Sequence, residues 1–176
     1  MTQPASGTWP GTVPPGTYTL DTGHSTIRAD VKAMFGLMTV HGAFRLTSGE
    51  ITITTDLSSC AVRASIEAAS YASGHAIRDA DVASATLLDA RTYPQITFTG
   101  RGARRDGDGW VVSGLVTAHG TAQPVQVQVS SAQLDAGTAR FRATARLDRI
   151  SFGITKKKGL VGRTVDLLIE AVAQPS

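Results

Sequence analysis

The chain is poor in cysteine, in aromatic residues and in long apolar runs, and each shortage narrows what it can be. With Cys60 its only cysteine, it closes no internal disulfide, and no disulfide framework specifies its fold. A buried free thiol behaves as a small hydrophobe, so Cys60 is expected to be an inert strand residue. No stretch approaches the ~18 consecutive apolar residues of a membrane-spanning helix. Residues 1–16, MTQPASGTWPGTVPPG, hold four of the seven prolines but neither a basic nor an apolar segment, unlike a secretory leader. They are expected to form a flexible arm with Trp9 as its one anchor, ahead of a single folded domain over 17–176; a cytoplasmic location follows as an expectation. Charge is also sparse, at 18% of residues, and the 17 basic side chains exceed the 14 acidic ones by only three. So small and scattered a surplus argues against a nucleic-acid partner.

What the chain does have is alternation. Hydrophobic residues make up 41% and aromatics 6%, so the core must be built mainly from Val, Ile, Leu and Ala. Successive strand side chains point to opposite faces, and segment after segment obeys that period. Over 26–35, Ile27, Ala29, Val31, Ala33 and Phe35 oppose Arg28, Asp30 and Lys32. The same split runs through EITITTD (50–56), CAVRASIEA (60–68), PVQVQVS (124–130), ARFRATARLDR (139–149) and RTVDLLIEAVA (163–173). These are antiparallel strands with one buried face. Turns are expected at FG (35–36), TSG (47–49), RDGDG (105–109) and LDAG (134–137). About nine strands so joined form an up-and-down meander that must close or pack to hide its edges. One segment differs: 74–94 spaces Ile77, Val82, Leu87 and Leu88 helically, with Asp79 and Ser84 as candidate N-caps and Pro94 as a stop. It is expected to be one or two short helices over one end of the sheet.

Few residues suggest catalysis. LMTVHGAF (37–44) returns as LVTAHGTA (115–122), each copy placing a histidine before a glycine. Strand parity sets His41 and His119 with threonines, away from the apolar face, and the glycines suit a bulge or a close backbone approach. His24, His41, His75 and His119 form no i,i+2 or i,i+4 pair of the kind that seeds a zinc site. GHST (23–26) sits in no G-x-S-x-G context. KKKGLVGRT (156–164) lacks the order of a phosphate loop, leaving a solvated connection or a contact with phosphate or an anionic membrane. The Arg140, Arg142 and Arg146 stripe is the wet face of a strand.

With strands and helix placed, the chain resembles, over 17–173, the YceI-like family of lipocalin-like barrels that bind polyisoprenoid lipids. The matching stretches, in order, are GTYTLDTGHSTIRADV, GAFRLTSGEI, IRDADVAS leading to TYPQITFTG, VSGLVTAHGTAQPV and LDRISFGI. The resemblance implies an all-β fold: an eight-stranded antiparallel barrel with a long apolar cavity and a short helical segment near its mouth. Family-typical positions include His24, Ser25, Arg78, Asp79, Pro94, Phe98, Gly114, His119, Gly120, Asp148, Arg149, Phe152 and Gly153. From it, Arg78 with Asp79 and Asp148 with Arg149 are expected as ion pairs tying helix and loops to strands. Relatives often carry an aromatic pair where this chain has Leu87 and Leu88, implying a less bulky lid.

The residues themselves point the same way. A barrel of about eight strands has room for one small ligand, and the inward face is rich in Ala29, Ala33, Ala64, Ala68, Ala143 and Ala145, which line a space instead of filling it. The expected function is non-enzymatic binding, storage or transport of an isoprenoid lipid, a quinone or a polyprenyl phosphate, with no cofactor beyond that ligand. Pocket candidates are Phe35, Met38, Phe44, Ile66, Phe98, Phe141 and Phe152; headgroup candidates are Arg78, Lys156, Lys157 and Lys158. Peripheral membrane contact and a homodimer are the further partner expectations. The alternative is a metal-assisted enzyme using His24, His41 and His119.

Overall fold

Alternation of small apolar and polar side chains builds strands throughout the computed structural model, which describes residues 13–176. In chain order these are β1 (Gly16–Leu20), β2 (Thr26–Ala33), β3 (Met38–Phe44), β4 (Leu46–Ile53), β5 (Ala61–Glu67), a helix α1 (Ala76–Ala83), β6 (Gln95–Asp106), β7 (Gly109–Ala118), β8 (Thr121–Asp135), β9 (Thr138–Asp148) and β10 (Val161–Pro175). Ten strands make eight barrel staves. β1 and β2 both pair with β10, Leu20 opposite Ala173 and Thr26 opposite Glu170, so they are one stave interrupted by a turn. β3 and β4 are likewise separated by Arg45 alone. The order then runs antiparallel from β4 through β10, and the β1–β10 pairing closes the barrel. Closure leaves no long open edge.

The inward rows are those that the alternation marks. In β9, Ala139, Phe141, Ala143 and Ala145 are buried while Arg140, Arg142 and Arg146 face solvent, two of them paired with Glu170 and Asp166 of β10. A bulge between Val129 and Ser131 in β8 changes the phase, so that Ala132 follows Val129 on the buried side.

Turn chemistry explains the joints. His119–Gly120 and Ala136–Gly137 each place two consecutive residues at positive φ, 53° with 73° and 48° with 80°. That is the conformation a two-residue type I′ hairpin requires. TSG at 47–49 does not turn: it lies inside β4, where the register shifts between Leu46 and Ser48 and the Leu20 side chain packs over Gly49. The expected turn is instead a bulge within the strand, and Gly49 serves the close approach of Leu20.

Between β5 and β6 the chain crosses one end of the barrel. α1 is capped at its N-terminus by His75, whose Nδ1 accepts from the Arg78 amide at 3.3 Å, and Ser84 ends the helix as its C-cap. Asp79 and Ser84 are therefore not N-caps; Asp79 instead accepts from the Ser73 amide and hydroxyl, which draws its carboxyl below the usual range. The lid is pinned at both ends by tyrosines on the two HG glycines. Tyr71 covers Gly42, where any Cβ would collide with the ring, and Tyr93 covers Gly120, where a Cβ would lie 2.7 Å from its Cε1. The repeated HG is thus mid-strand in one copy and a hairpin turn in the other, with a shared need for a missing side chain.

Trp9 and residues 1–12 of the expected arm lie outside the described residues. Val13 is buried, Tyr18 Oη donates to the Pro14 carbonyl at 2.6 Å, and β1 begins at Gly16, so the packed domain starts by Val13.

Candidate functional site

The barrel interior is a bore of two adjoining chambers. The lower one, about 180 Å³, is lined by aliphatic side chains of all eight staves with Phe98 and Phe141; among the described residues its only polar lining residues are Ser25, Thr26, Thr52, Thr97 and Cys60. No charged residue reaches it. The upper one, about 300 Å³, lies beneath the lid and adds Lys32, Arg78, Asp81 and Arg149 to an otherwise apolar wall. Ile27, Ile66, Ile96, Val116, Leu147 and Leu167 line both, and so form the junction. Alanines make this space: Ala64, Ala143 and Ala145 stand around the lower chamber, Ala29 and Ala33 around the upper. Ala68 is buried outside both.

Five of the seven expected pocket residues face this bore. Phe98 and Phe141 line the lower chamber, Phe44 and Phe152 the upper, and Ile66 the junction. Phe98 fits because its ring lies over Gly100 and Gly114, which oppose each other in β6 and β7. Phe35 and Met38 do not line either chamber. β2 ends at Ala33, and Met34 and Phe35 turn at φ 52° and 58°, so the alternation that set Phe35 inward stops two residues short. Phe35 is 77% exposed and Met38 is also exposed.

Of the headgroup candidates, only Arg78 lines the upper chamber; Lys156, Lys157 and Lys158 stand outside it. Lys157 forms an ion pair with Asp81 that ties the β9–β10 loop to α1. Leu87 and Leu88, expected in the lid, line the upper chamber; among its lining side chains that sequence reasoning did not assign to the pocket are Tyr71, Leu147 and Arg149. Leu147 had a signal, since it continues the inward row of β9.

Arg149 had none. The expected Asp148–Arg149 pair is replaced by two separate arrangements. Asp148 accepts from Arg163 Nε at 2.8 Å and from the Ile150 amide at 3.0 Å, and chiefly the Arg163 contact holds its carboxyl below the usual range. Arg149, 6% exposed, turns away and donates to four carbonyls: Gly162 from Nε at 2.8 Å, Ile154 and Lys156 from Nη1 at 2.6 and 2.9 Å, and Val161 from Nη2 at 2.8 Å. Burial lowers its pKa, and the Asp148 charge opposes that. Arg78 and Asp79 likewise form no salt bridge; Asp79 is spent on Ser73.

The histidines go separate ways. His24 Nδ1 meets Asp21 at 2.9 Å, His41 Nδ1 meets Asp30 at 2.8 Å on the outer wall, and His119 Nδ1 donates to the Phe152 carbonyl at 3.2 Å. The trio of the enzyme alternative is not gathered, and among the described residues no group of three or more His, Cys, Asp or Glu side chains is placed to hold a metal ion. No helix among them is long and apolar enough to cross a membrane.

Known proteins share this architecture. Burkholderia cenocepacia BcnA superposes with a TM-score of 0.78 at 23% identity, covering 87% of this chain and 98% of that one. A polyisoprenoid binding domain from Saccharophagus degradans gives 0.70 at 16%, covering 90% and 98%. In sequence, protein YceI of Escherichia coli is 31% identical over 142 residues, 76% of this chain and 73% of the relative. A UPF0312 protein of Pseudomonas putida is 30% identical over 148 residues, 79% and 77%. The model of the YceI-like domain matches residues 18–173, from the first strand to the last, and the chain therefore belongs to the YceI-like family.

Proposed function

We propose that the protein binds an isoprenoid lipid in its two-chamber bore, without transforming it, so as to store or carry it. The observation that carries this reading is the segregation of charge: none lines the lower chamber, while four charged residues line the upper. That distribution matches an amphiphile with a long apolar tail and one polar end. Each Å² of tail removed from water contributes about 25 cal/mol, so a chain that fills the bore needs little from its head. The Saccharophagus degradans domain, described as polyisoprenoid binding, has the same fold and supports the reading.

The head belongs beside Arg78, which lines the chamber and, among the described residues, carries no salt bridge. Its guanidinium suits a prenyl phosphate, which it can grip through two oxygens, and can donate to a quinone carbonyl. Native mass spectrometry with organic extraction of the purified protein, followed by displacement of a fluorescent apolar probe, tests both parts. Farnesyl phosphate, farnesol and a prenylated quinone should all displace the probe, and Arg78→Gln should weaken the phosphate most. An empty protein from which no prenyl compound displaces the probe would overturn the proposal.

A further inference from the structure

Six of the seven large hydrophobic residues exposed among the described residues gather at the lid end of the barrel. Met34, Phe35, Leu37 and Met38 form the β2–β3 tip, Leu160 follows in the β9–β10 loop, and Ile77 lies on α1. The meander sends all three elements to one end, and bonds join them. The Met34 and Phe35 amides donate to the carbonyls of Leu160 and Gly159 at 3.0 and 2.7 Å. Lys157 pairs with Asp81 of α1, one turn from Ile77 and on the same helix face. Phe35 and Leu37 are 77% and 87% exposed, and Ile77 is 79% exposed.

The lysines gather in the same place. The chain has four lysines: Lys156, Lys157 and Lys158 lie in this loop, and Lys32 near the end of β2 beside the tip. Lys157 is the one that carries a salt bridge among the described residues. The apolar groups stand out from a hairpin tip, with exposed lysine side chains beside them. They fit an interface in which apolar groups enter the acyl boundary and ammonium groups meet phosphates.

We propose that this end of the barrel docks on an anionic lipid bilayer, with Phe35 and Leu37 inserted and Lys32, Lys156 and Lys158 at the headgroups. The proposal goes beyond the cavity reading and does not depend on it. Docking here also turns Arg78 and the upper chamber toward the membrane.

Sedimentation of the full chain with phosphatidylcholine vesicles, with and without phosphatidylglycerol and free of isoprenoids, tests it. Binding should require phosphatidylglycerol and fall with added salt. Each of K32Q, K156Q and K158Q should weaken it about fivefold, and the double variant F35S/L37S about tenfold or more. Both kinds of variant alter exposed side chains, and circular dichroism with an unchanged thermal midpoint establishes that they fold. Failure to bind, equal binding to neutral vesicles, or full binding by F35S/L37S would overturn the proposal. So would a concentration-dependent dimer abolished by the same substitutions, which would make a second copy the partner of this face. Because no isoprenoid is present, a negative result leaves the cavity reading intact.

Discussion

Arg149 braces the β9–β10 connection from inside, and its environment is unusual for a buried charge: four carbonyls and no carboxylate. Its planar fork lets one residue satisfy acceptors that the loop 154–162 would otherwise bury. Removing it strands those oxygens, at about 1–3 kcal/mol for each that water fails to reach. Arg149→Met should therefore lower unfolding free energy by about 3 kcal/mol in urea titration, and Arg149→Lys, a point donor, should recover less than half. Its neighbour Asp148 predicts a pH effect. Arg163 lowers the folded pKa of Asp148, as Arg28 then His41 do for Asp30 and as His24 does for Asp21. A carboxylate with a depressed folded pKa stabilises fully above its unfolded value near 3.9 and loses that contribution as pH falls through the folded one. The thermal midpoint should hold from neutrality to about pH 5 and drop below it. Asp148→Asn should start lower at neutral pH and fall less steeply in acid.

At the scale of elements, the lid stays in place through two ring-on-glycine contacts, Tyr71 on Gly42 and Tyr93 on Gly120. A methyl group at either position forces the ring off the strand, and Gly120 also needs its positive φ of 73°. Overpacking of this kind costs about 1–3 kcal/mol. Gly42→Ala should speed amide exchange across 72–93 in mass-spectrometric measurements while leaving β7–β9 protected; uniform loss of protection would mean that the whole barrel, and not the lid, depends on the contact. The sequence shows that a histidine–glycine pair recurs, and period-two parity correctly turns His41 outward. What it does not contain is the partner, because Tyr71 and Tyr93 stand at the two ends of the crossing segment and each meets a glycine distant from it in sequence. Strand identity is legible for a different reason: alternation is a local property that closure preserves. Its limit is local too. Two residues of left-handed backbone at Met34 and Phe35 end the alternation, and they put Phe35 in solvent when parity had turned it inward.

For the whole molecule, the bore and its charge distribution were only partly legible. Parity with the choice of bulky residues found Phe44, Ile66, Phe98 and Phe141, but a cavity is made by the residues that fail to fill it, and its length depends on how eight staves close. Along that length the lower chamber admits tail alone, since among the described residues no charge lines it, and at the strand ends away from the lid Val13, Tyr18, Leu57 and Trp110 are buried in the same core cluster as its walls. The finite bore sets a limit on chain length. Ala143 faces the lower chamber between Val129 of β8 and Ile169 of β10, so a larger side chain there shortens the tail space without reaching the lid or Arg78. Ala143→Leu enters an existing void, which keeps its packing cost below the 1–3 kcal/mol or so of overfilling a dense core. In a displacement series of prenyl chains of increasing length, the variant should match the original protein for the shortest chains and fall progressively behind for longer ones. A loss equal at every length would mean that the two chambers do not hold one continuous tail, and that the lower chamber is a packing void of the barrel with no part in binding.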